Sequence, residues 1–415
     1  MPAPADRSVR LAASEVERLD AASQQPVPAA TARRAVSREL RLARAACGTV
    51  FFVNGACFAS WVVRIPDVQR RFGLDAGRLG LVLLGVAGGG LLSTPVVGPL
   101  IARRGARAMT RLGALAFSVM IAMPGLAPNV ATLTLALVAL GATNGLLNVA
   151  MNAEAAGIER RHGRPIMSSF HALYSAGGLS GAALGGIVAE HGARTASHLL
   201  GTAAIAAVVT AVAGTRLLPS TAADAAGQRF ARPTRALLML GLVVICCAFG
   251  EGAMADWSAV FLRDAANAGP GAAAAGFAAF SLAMAAGRFA GDWTVARLGV
   301  RRQLLAGGLT AAAGVTLAVG LATPWAAVVG FGLVGVGLST LYPIVVSAAG
   351  RTPGADPGRS IAAVTAMGVL GFLAGPPLIG LLANLVTIRI AILAVAVAGA
   401  IVAAASPRVR EPTPH

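Results

Sequence analysis

Two carboxylates in an apolar stretch are the residues best suited to chemistry. The segment FGEGAMADW places Glu251 and Asp256 among glycine, alanine and aromatic residues. A carboxylate surrounded by hydrocarbon is costly unless it has a partner, a water-filled cavity or a proton to exchange. A spacing of five residues sets the two about 140° apart around a helix, so we expect separate sites. For Glu251 two interpretations stay open: it binds and releases a proton, or it pairs with an arginine such as Arg64 or Arg288.

A stripe of amides forms the second group of candidate residues. Asn144, Asn148 and Asn152 recur every four residues, which places them on one face of a helix. We expect either hydrogen bonds to a solute, best made by Asn148, or bonds between helices, best made by Asn152. The other candidates for contact with a polar solute are Asn54, Trp61, Arg64, Tyr174, Trp257 and Tyr342.

His171 is a third candidate for proton exchange, because imidazole changes its charge near neutral pH. It also fits a buried core histidine, so both interpretations stay open. A zinc site would need histidine or carboxylate pairs on one helical face together with a third ligand. Glu154, His162 and His171 do not have that spacing. We therefore expect no metal, no cofactor and no enzymatic activity.

The elements that position these residues are long apolar segments. The chain has 415 residues, of which 12% are charged, and its mean hydropathy is +0.73. Apolar runs of about 20 residues are what a hydrocarbon core about 30 Å thick requires of a helix. The pattern predicts an all-α integral membrane protein. Twelve spans are predicted, at residues 44–64, 79–101, 108–126, 130–156, 165–189, 195–218, 235–262, 272–295, 302–322, 325–349, 360–385 and 387–405.

The basic residues indicate how the chain is oriented. All 34 are arginine, the net charge is +17, and they fall in short clusters between apolar runs, without the continuous basic face that nucleic-acid binding needs. Positively charged flanks of short loops stay cytoplasmic. Most arginines lie on one side if the N-terminus is inside. We therefore expect both termini in the cytoplasm. A bacterial inner membrane as the location and a monomeric state are separate expectations.

An internal repeat divides the chain. IARRGAR at 101–107 matches VARLGVR at 295–301 at an offset of 194 residues, for example from Arg103 to Arg297. The glycine pairs 177/371, 181/375 and 186/380 keep that offset. This predicts a disordered cytoplasmic arm at 1–42, a first half at 43–218, a linker at 219–234, a second half at 235–405 and a tail at 406–415. Each half would hold six helices, as in transporters whose halves rock about a central site.

The repeated loop resembles the signature of the major facilitator superfamily. GPLIARRGAR supplies the motif residues Gly98, Arg103, Gly105 and Arg107, and GRFAGDWTVARLGVRR supplies Asp292, Arg297, Gly299 and Arg301. The resemblance covers residues 44–405 and implies a twelve-helix secondary active transporter. In that family the loop carries charge pairs that latch the halves. Ala102 stands at the acidic position here, which argues against a symmetric latch.

Within the superfamily, NGLLNVAMNAEAA and ASWVVRIPD are similar to YbjJ-like inner-membrane transporters and, more distantly, to the fucose and glucose permeases. The functional carboxylates of the fucose permease branch match Asn148 and Val63, so those acids are absent here. The resemblance implies a small polar solute, with a sugar as one candidate, but does not carry over that branch's proton-coupling residues. We separately expect import of this metabolite to be coupled to protons. The stretch GGLSGAALGG resembles an antiporter motif and keeps a drug or metabolite exporter open as the alternative. A membrane receptor that does not transport is a more distant alternative.

Overall fold

A computed structural model of the chain describes residues 29–163, 166–218, 234–351 and 357–409, and every regular element in these ranges is helical. The α-helices are α1 Ala29–Val62, α2 Ile65–Arg71, α3 Ala76–Met120, α4 Met123–Leu126, α5 Val130–His162, α6 Met167–Glu190, α7 Thr195–Gly214, α8 Arg235–Asp264, α9 Pro270–Leu321, α10 Pro324–Leu338, α11 Leu341–Gly350, α12 Pro357–Leu385, α13 Ile388–Ala391 and α14 Leu393–Ala405.

Two helices are too long for one crossing of a membrane. α3 has 45 residues and α9 has 52, and at 1.5 Å per residue each exceeds twice the hydrocarbon thickness of about 30 Å. Each breaks at one residue, α3 at Gly105 (φ +81°) and α9 at Gly299 (φ +77°). A positive φ favours glycine, which has no Cβ to clash. The loops predicted around the repeated motif are therefore short breaks inside continuous helices.

Two boundaries differ from the prediction. α1 begins at Ala29, so residues 29–42 are helical instead of disordered, because this stretch is rich in alanine, leucine and arginine, which favour helices. Predicted span ten is divided between α10 and α11, with Pro343 in the first turn of α11, where its missing N–H costs no helical bond. Residues 1–28 of the arm, 219–233 of the linker and 410–415 of the tail lie outside the described residues.

The surface suits a bilayer. Eleven stretches of the described residues are long and apolar enough to cross a membrane, and the stretch Ala76–Leu126 contains the break at Gly105. Large apolar side chains such as Leu135, Ile205 and Trp325 are exposed on the outside of the bundle. Exposed apolar surface on this scale marks a surface that contacts lipid. The chain is therefore a multi-pass helical membrane protein.

The two halves repeat their internal packing. α1 packs against α6 in the first half, and α8 packs against α12 in the second. Glycine allows both pairs to approach closely. A Cβ added at Gly177 would lie 1.9 Å from the Phe52 carbonyl oxygen, and one added at Gly371 would lie 2.3 Å from that of Ile245. Gly177 and Gly371 differ by the offset of the sequence repeat, so the repeat extends to tertiary contacts.

The halves meet through two further helix pairs, α3 with α12 and α6 with α9. We call the end of the bundle that carries Gly105, Gly163, Gly299 and Arg408 the terminal face, and the end that carries Asp75, Glu190, Gly269 and Val386 the distal face. Near the distal face, a Cβ at Gly80 would lie 2.4 Å from the Pro376 carbonyl oxygen, and one at Gly186 would lie 2.7 Å from the Ala274 Cβ. Close packing therefore joins the halves near the distal face.

Candidate functional site

A charge pair lies in the middle of the bundle. Arg288 Nη2 in α9 is 3.4 Å from Glu251 Oε1 in α8. Arg288 Nη1 lies 3.5 Å from the Ser175 hydroxyl in α6, which belongs to the first half. The two charged side chains are 21% and 23% exposed, so neither is fully enclosed by the protein. One guanidinium thus contacts both halves of the molecule.

Local packing fixes the carboxylate of this pair. Cys247 lies one helical turn before Glu251, and its Sγ is 3.9 Å from Glu251 Oε1 and 3.8 Å from the Leu338 carbonyl oxygen. Cys247 is itself fully buried. Of the two arginines expected as possible partners, Arg288 makes the ion pair and Arg64 does not. Ser175 and Cys247 were not among the sequence candidates, because neither residue type signals a site by itself.

Aromatic and imidazole groups surround the pair. Tyr174 in α6 and Tyr342 in α11 lie within electrostatic range of both Glu251 and Arg288. His171, one turn before Ser175, lies within range of Arg288 and packs its ring edge-on against Phe51 at 5.5 Å. His171 is half-buried. His171 therefore packs like a core histidine close to the charge pair, and proton exchange by it stays a prediction.

The asparagine stripe serves more than one purpose. Asn144 Oδ1 accepts a hydrogen bond of 2.9 Å from Asn54 Nδ2 in α1, and Asn54 is buried. Asn152 donates to the Asn148 carbonyl oxygen of its own helix at 2.8 Å. Asn148 itself is exposed. The bond between helices is therefore made by Asn144 instead of Asn152. Asn148 Oδ1 accepts from Asn152 Nδ2 at 3.1 Å, which leaves the Asn148 amide N–H groups for a solute.

Three predicted solute contacts are enclosed by the protein. Trp61 is 1% exposed, Trp257 is fully buried and Arg64 is 2% exposed. Arg64 Nη1 donates to Asp67 at 2.9 Å, and its Nε donates to His198 Nδ1 at 2.9 Å. Arg64 therefore does not extend toward solvent as an interfacial arginine would. None of the three lines a solute-accessible cavity in this arrangement of the helices.

Asp256 lies in α8 between the charge pair and the distal face. Its side chain is half-buried. Within the described ranges no hydrogen-bond or ion-pair partner lies beside it, whereas Glu251 has Arg288. As expected from their spacing, the two carboxylates have different surroundings. Those ranges also contain no group of three or more His, Cys, Asp or Glu side chains arranged to hold a metal ion.

Two matched hydrogen bonds join the halves at the distal face, beside the Asn384–Asp75 hydrogen bond and the Arg263–Asp67 ion pair. The Gly77 N–H at the start of α3 donates to Asn384 Oδ1 at the end of α12 at 3.0 Å. The Gly271 N–H at the start of α9 donates to Glu190 Oε2 at the end of α6 at 2.7 Å. Gly77 and Gly271, like Glu190 and Asn384, differ by 194 residues. In both bonds, an N–H group in the first turn of a helix, which has no acceptor within its own helix, donates to a side chain of the other half.

Arginines of the repeated motif act at the terminal face. Arg107 Nη2 donates to the Thr215 carbonyl oxygen at 3.2 Å, and Arg301 Nε donates to that of Val409 at 3.0 Å. Both pairs keep the 194-residue offset, and both stay inside one half. Arg297 stacks on Trp293 at 4.2 Å. Of the other motif residues, Arg103 is exposed, Gly98 has open space beside it, and the side chain of Asp292 lies outside the described residues.

Comparison with known protein families identifies the family of this chain. Residues 46–264 and 240–415 match the model of the Major Facilitator Superfamily. The chain belongs to the major facilitator superfamily. An uncharacterised MFS-type transporter of Yersinia pestis is 35% identical to it over 343 residues, which cover 82% of this chain and 89% of the relative. The membrane protein MosC of Rhizobium meliloti is 32% identical over 364 residues, 86% and 87% of the two chains.

Solved structures of the superfamily share the fold. The nucleoside transporter NupG superposes with a TM-score of 0.71 at 11% identity, covering 88% of this chain and 98% of NupG. A bacterial homologue of the human lysosomal transporter Spinster, in an inward-facing conformation, gives 0.69 at 16% identity, covering 89% and 98%. The E. coli fucose:proton symporter FucP gives 0.61 at 16% identity, with the same coverage. This superfamily member is thus a transporter and not an enzyme.

Proposed function

We propose that this superfamily member is a proton-coupled secondary transporter that imports a small polar metabolite by alternating access. In this proposal, twelve helices cross a bacterial inner membrane, and residues 43–218 and 235–405 form the two six-helix halves. The breaks at Gly105 and Gly299 support twelve crossings, because each divides an overlong helix in two. The terminal face, which carries most of the arginines, is cytoplasmic.

The contacts between the halves support rocking. The Gly77–Asn384 and Gly271–Glu190 hydrogen bonds join the halves at the distal face. The bonds from Arg107 and Arg301 at the terminal face stay within one half, so they need not break when that face opens. The arrangement corresponds to a transporter closed toward the periplasm. Reopening the distal face requires that both matched hydrogen bonds separate, together with the Asn384–Asp75 hydrogen bond and the Arg263–Asp67 ion pair.

The charge pair of Glu251 and Arg288 is the observation on which proton coupling depends. Protonation of Glu251 removes the negative charge opposite Arg288 and weakens the pair. Because Arg288 also contacts Ser175 of the first half, this change alters a contact between the halves. A proton can thereby bias the rocking equilibrium, since any ligand shifts an equilibrium by its differential affinity for the two states.

The neighbouring groups support a polar solute. Asn148, Tyr174 and Tyr342 offer amide and phenol groups to the space between the halves, and aromatic side chains have both an apolar face and a polar edge. Hydroxyl-rich solutes need such mixed surroundings. The fold shared with a nucleoside transporter and a fucose:proton symporter agrees with a solute of this size and polarity.

The test begins with purified protein and a thermal-shift screen over sugars, acids and drugs. A stabilising compound is then used in proteoliposomes with an imposed pH gradient. Glu251→Gln should lose uphill uptake and keep exchange of labelled for unlabelled solute, because only the proton site is removed. Asp256→Asn is the matched variant from the same helix and should keep uphill uptake. If Glu251→Gln accumulates solute as well as the parent, the proton role of Glu251 is wrong.

The same vesicles separate the alternative functions. Accumulation driven by an inwardly directed proton gradient indicates import, whereas solute expulsion in exchange for protons indicates an exporter. The glycine stretch that favours the exporter lies in α6, where Gly177 and Gly181 come close to the backbone of α1. Those glycines are therefore explained by helix packing alone. Binding without flux of any compound would instead favour a receptor.

A further inference from the structure

The charge balance around Arg288 narrows the class of solute, and this inference rests on the proton coupling proposed above. Glu251 is the only carboxylate within ion-pairing distance of Arg288 in the described part of the chain. A guanidinium does not release its proton in a protein. When Glu251 binds a proton, the pair therefore passes from neutral to a net charge of +1. An unbalanced charge inside a membrane protein is costly, so the proton-loaded state requires a compensating anion.

The surroundings of Arg288 show what kind of anion fits. The planar guanidinium presents its donors in a fork that matches the two oxygens of a carboxylate. Ser175 lies 3.5 Å from one end of that fork, and Tyr174 and Tyr342 are nearby. The Tyr174 hydroxyl is the one best placed to bond to a solute, because Ser175 is buried against Arg288 and Tyr342 is hydrogen-bonded to Thr365. A single guanidinium balances a single negative charge, which favours a monocarboxylate over a doubly charged phosphate.

We propose that Arg288 binds the carboxylate of a small hydroxylated acid, such as a sugar acid, which enters together with the proton taken up by Glu251. Solute and proton then occupy the two sides of the present ion pair: the solute carboxylate replaces Glu251 on Arg288, and the proton neutralises Glu251. The titratable or charged groups that face Glu251 are Cys247 of its own helix, Arg288 of α9, Tyr174 of α6 and Tyr342 of α11. The net charge of the site stays at zero in both states.

Matched solutes test the charge preference. Purified full-length protein is screened by thermal shift with glycerol, glycerate and serinol, and with glucose, gluconate, glucosamine and glucose 6-phosphate. The carboxylates should raise the melting temperature, whereas the neutral and amine members of each series should not. A panel in which no carboxylate stabilises the protein overturns the proposal. Stabilisation by glucose 6-phosphate but not gluconate, or preference for an amine, also overturns it.

Titration of the stabilising carboxylate against pH tests the exchange. If one proton binds with the solute, the affinity should rise about tenfold for each unit by which the pH falls, over the range in which Glu251 is ionised. Glu251→Gln should bind the same carboxylate with an affinity that no longer depends on pH. Arg288→Gln should lose at least tenfold in affinity, and Arg288→Lys, which keeps the charge but not the fork, should retain part of it.

These measurements separate this inference from the proposed function. If the carboxylate binds through Arg288 without pH dependence, the solute class holds and the proton role of Glu251 fails. If Arg288→Gln and Arg288→Lys both bind as the parent does, the solute class fails, while uphill uptake still tests the proton role. A folded Arg288→Lys variant, judged by its melting temperature, keeps the test valid if Arg288→Gln does not fold.

Discussion

Alanine in place of Gly80 tests whether the distal face opens and closes during transport. In the closed arrangement the new Cβ would lie 2.4 Å from the Pro376 carbonyl oxygen, whereas ordinary contact begins near 3.4 Å. α3 and α12 would have to separate by the difference, about 1 Å. Overpacking of this kind costs about 1–3 kcal/mol. Because this cost applies only when the distal face is closed, the equilibrium should shift toward the distal-open state by a factor of about 5 to 150.

The matched control is Gly88→Ala in the same helix, where an added Cβ meets open space. Both variants gain the same helix propensity, so the difference between them isolates the clash. Spin labels at Arg78 and Val386, two exposed residues on either side of the contact, report its separation in a variant without cysteines. Gly80→Ala should add a longer distance to the distribution, and Gly88→Ala should not. A folded Gly80→Ala variant with the parental distribution would refute the reasoning.

Three further predictions concern contacts between helices. Asn144→Ala should lower the melting temperature of the protein without solute, since an interhelical hydrogen bond in a membrane contributes about 0.6 kcal/mol. Asn148→Ala should instead weaken solute binding and leave that melting temperature unchanged. Glu190→Ala should lengthen the spin-label distance between the halves at the distal face, and Glu190→Gln, which keeps an acceptor oxygen, should not. Hydrogen bonds from the Arg78 N–H and the Asn384 amide lower the pKa of Asp75. Of these two, only the Asn384–Asp75 hydrogen bond crosses between the halves. It should therefore persist as the pH falls to 3.8, the ordinary pKa of the Asp75 carboxyl, and be lost only at lower pH, which the same spin-label distances measure.

Much of the fold could be predicted from the sequence, because apolar length and repeated glycines express constraints that act locally. A span must cover the hydrocarbon, and a positive φ favours glycine, so Gly105 and Gly299 were recognisable as related positions. The matched hydrogen bonds of Glu190 and Asn384 were not recognised. Their residue types differ, and only the three-dimensional pairing shows that both accept from the first turn of a helix in the other half.

The candidate site was predicted only in part. The cost of a carboxylate in an apolar helix identified Glu251 without any knowledge of its neighbours. The partner of Glu251 is set by the distance between α8 and α9. Helical periodicity gives no distance between two helices, so the sequence could not distinguish Arg64 from Arg288. Trp61 and Trp257 are buried between helices in this arrangement, which the sequence could not show for a related reason. In a membrane protein, a helix face that packs on another helix and a helix face that lines a cavity have similar patterns of residue types in the sequence.

The frame of the transporter is symmetric, but its charge pair is not. At the offset of the repeat, Glu251 corresponds to Cys57 and Arg288 to Thr94, so the first half has no such pair. The two matched hydrogen bonds at the distal face contribute about 0.5–1.5 kcal/mol each. One proton moving down a gradient of one pH unit supplies about 1.4 kcal/mol. These magnitudes are similar, so in the proposed mechanism a single protonation site shifts the balance between the two faces by an amount comparable to these two hydrogen bonds.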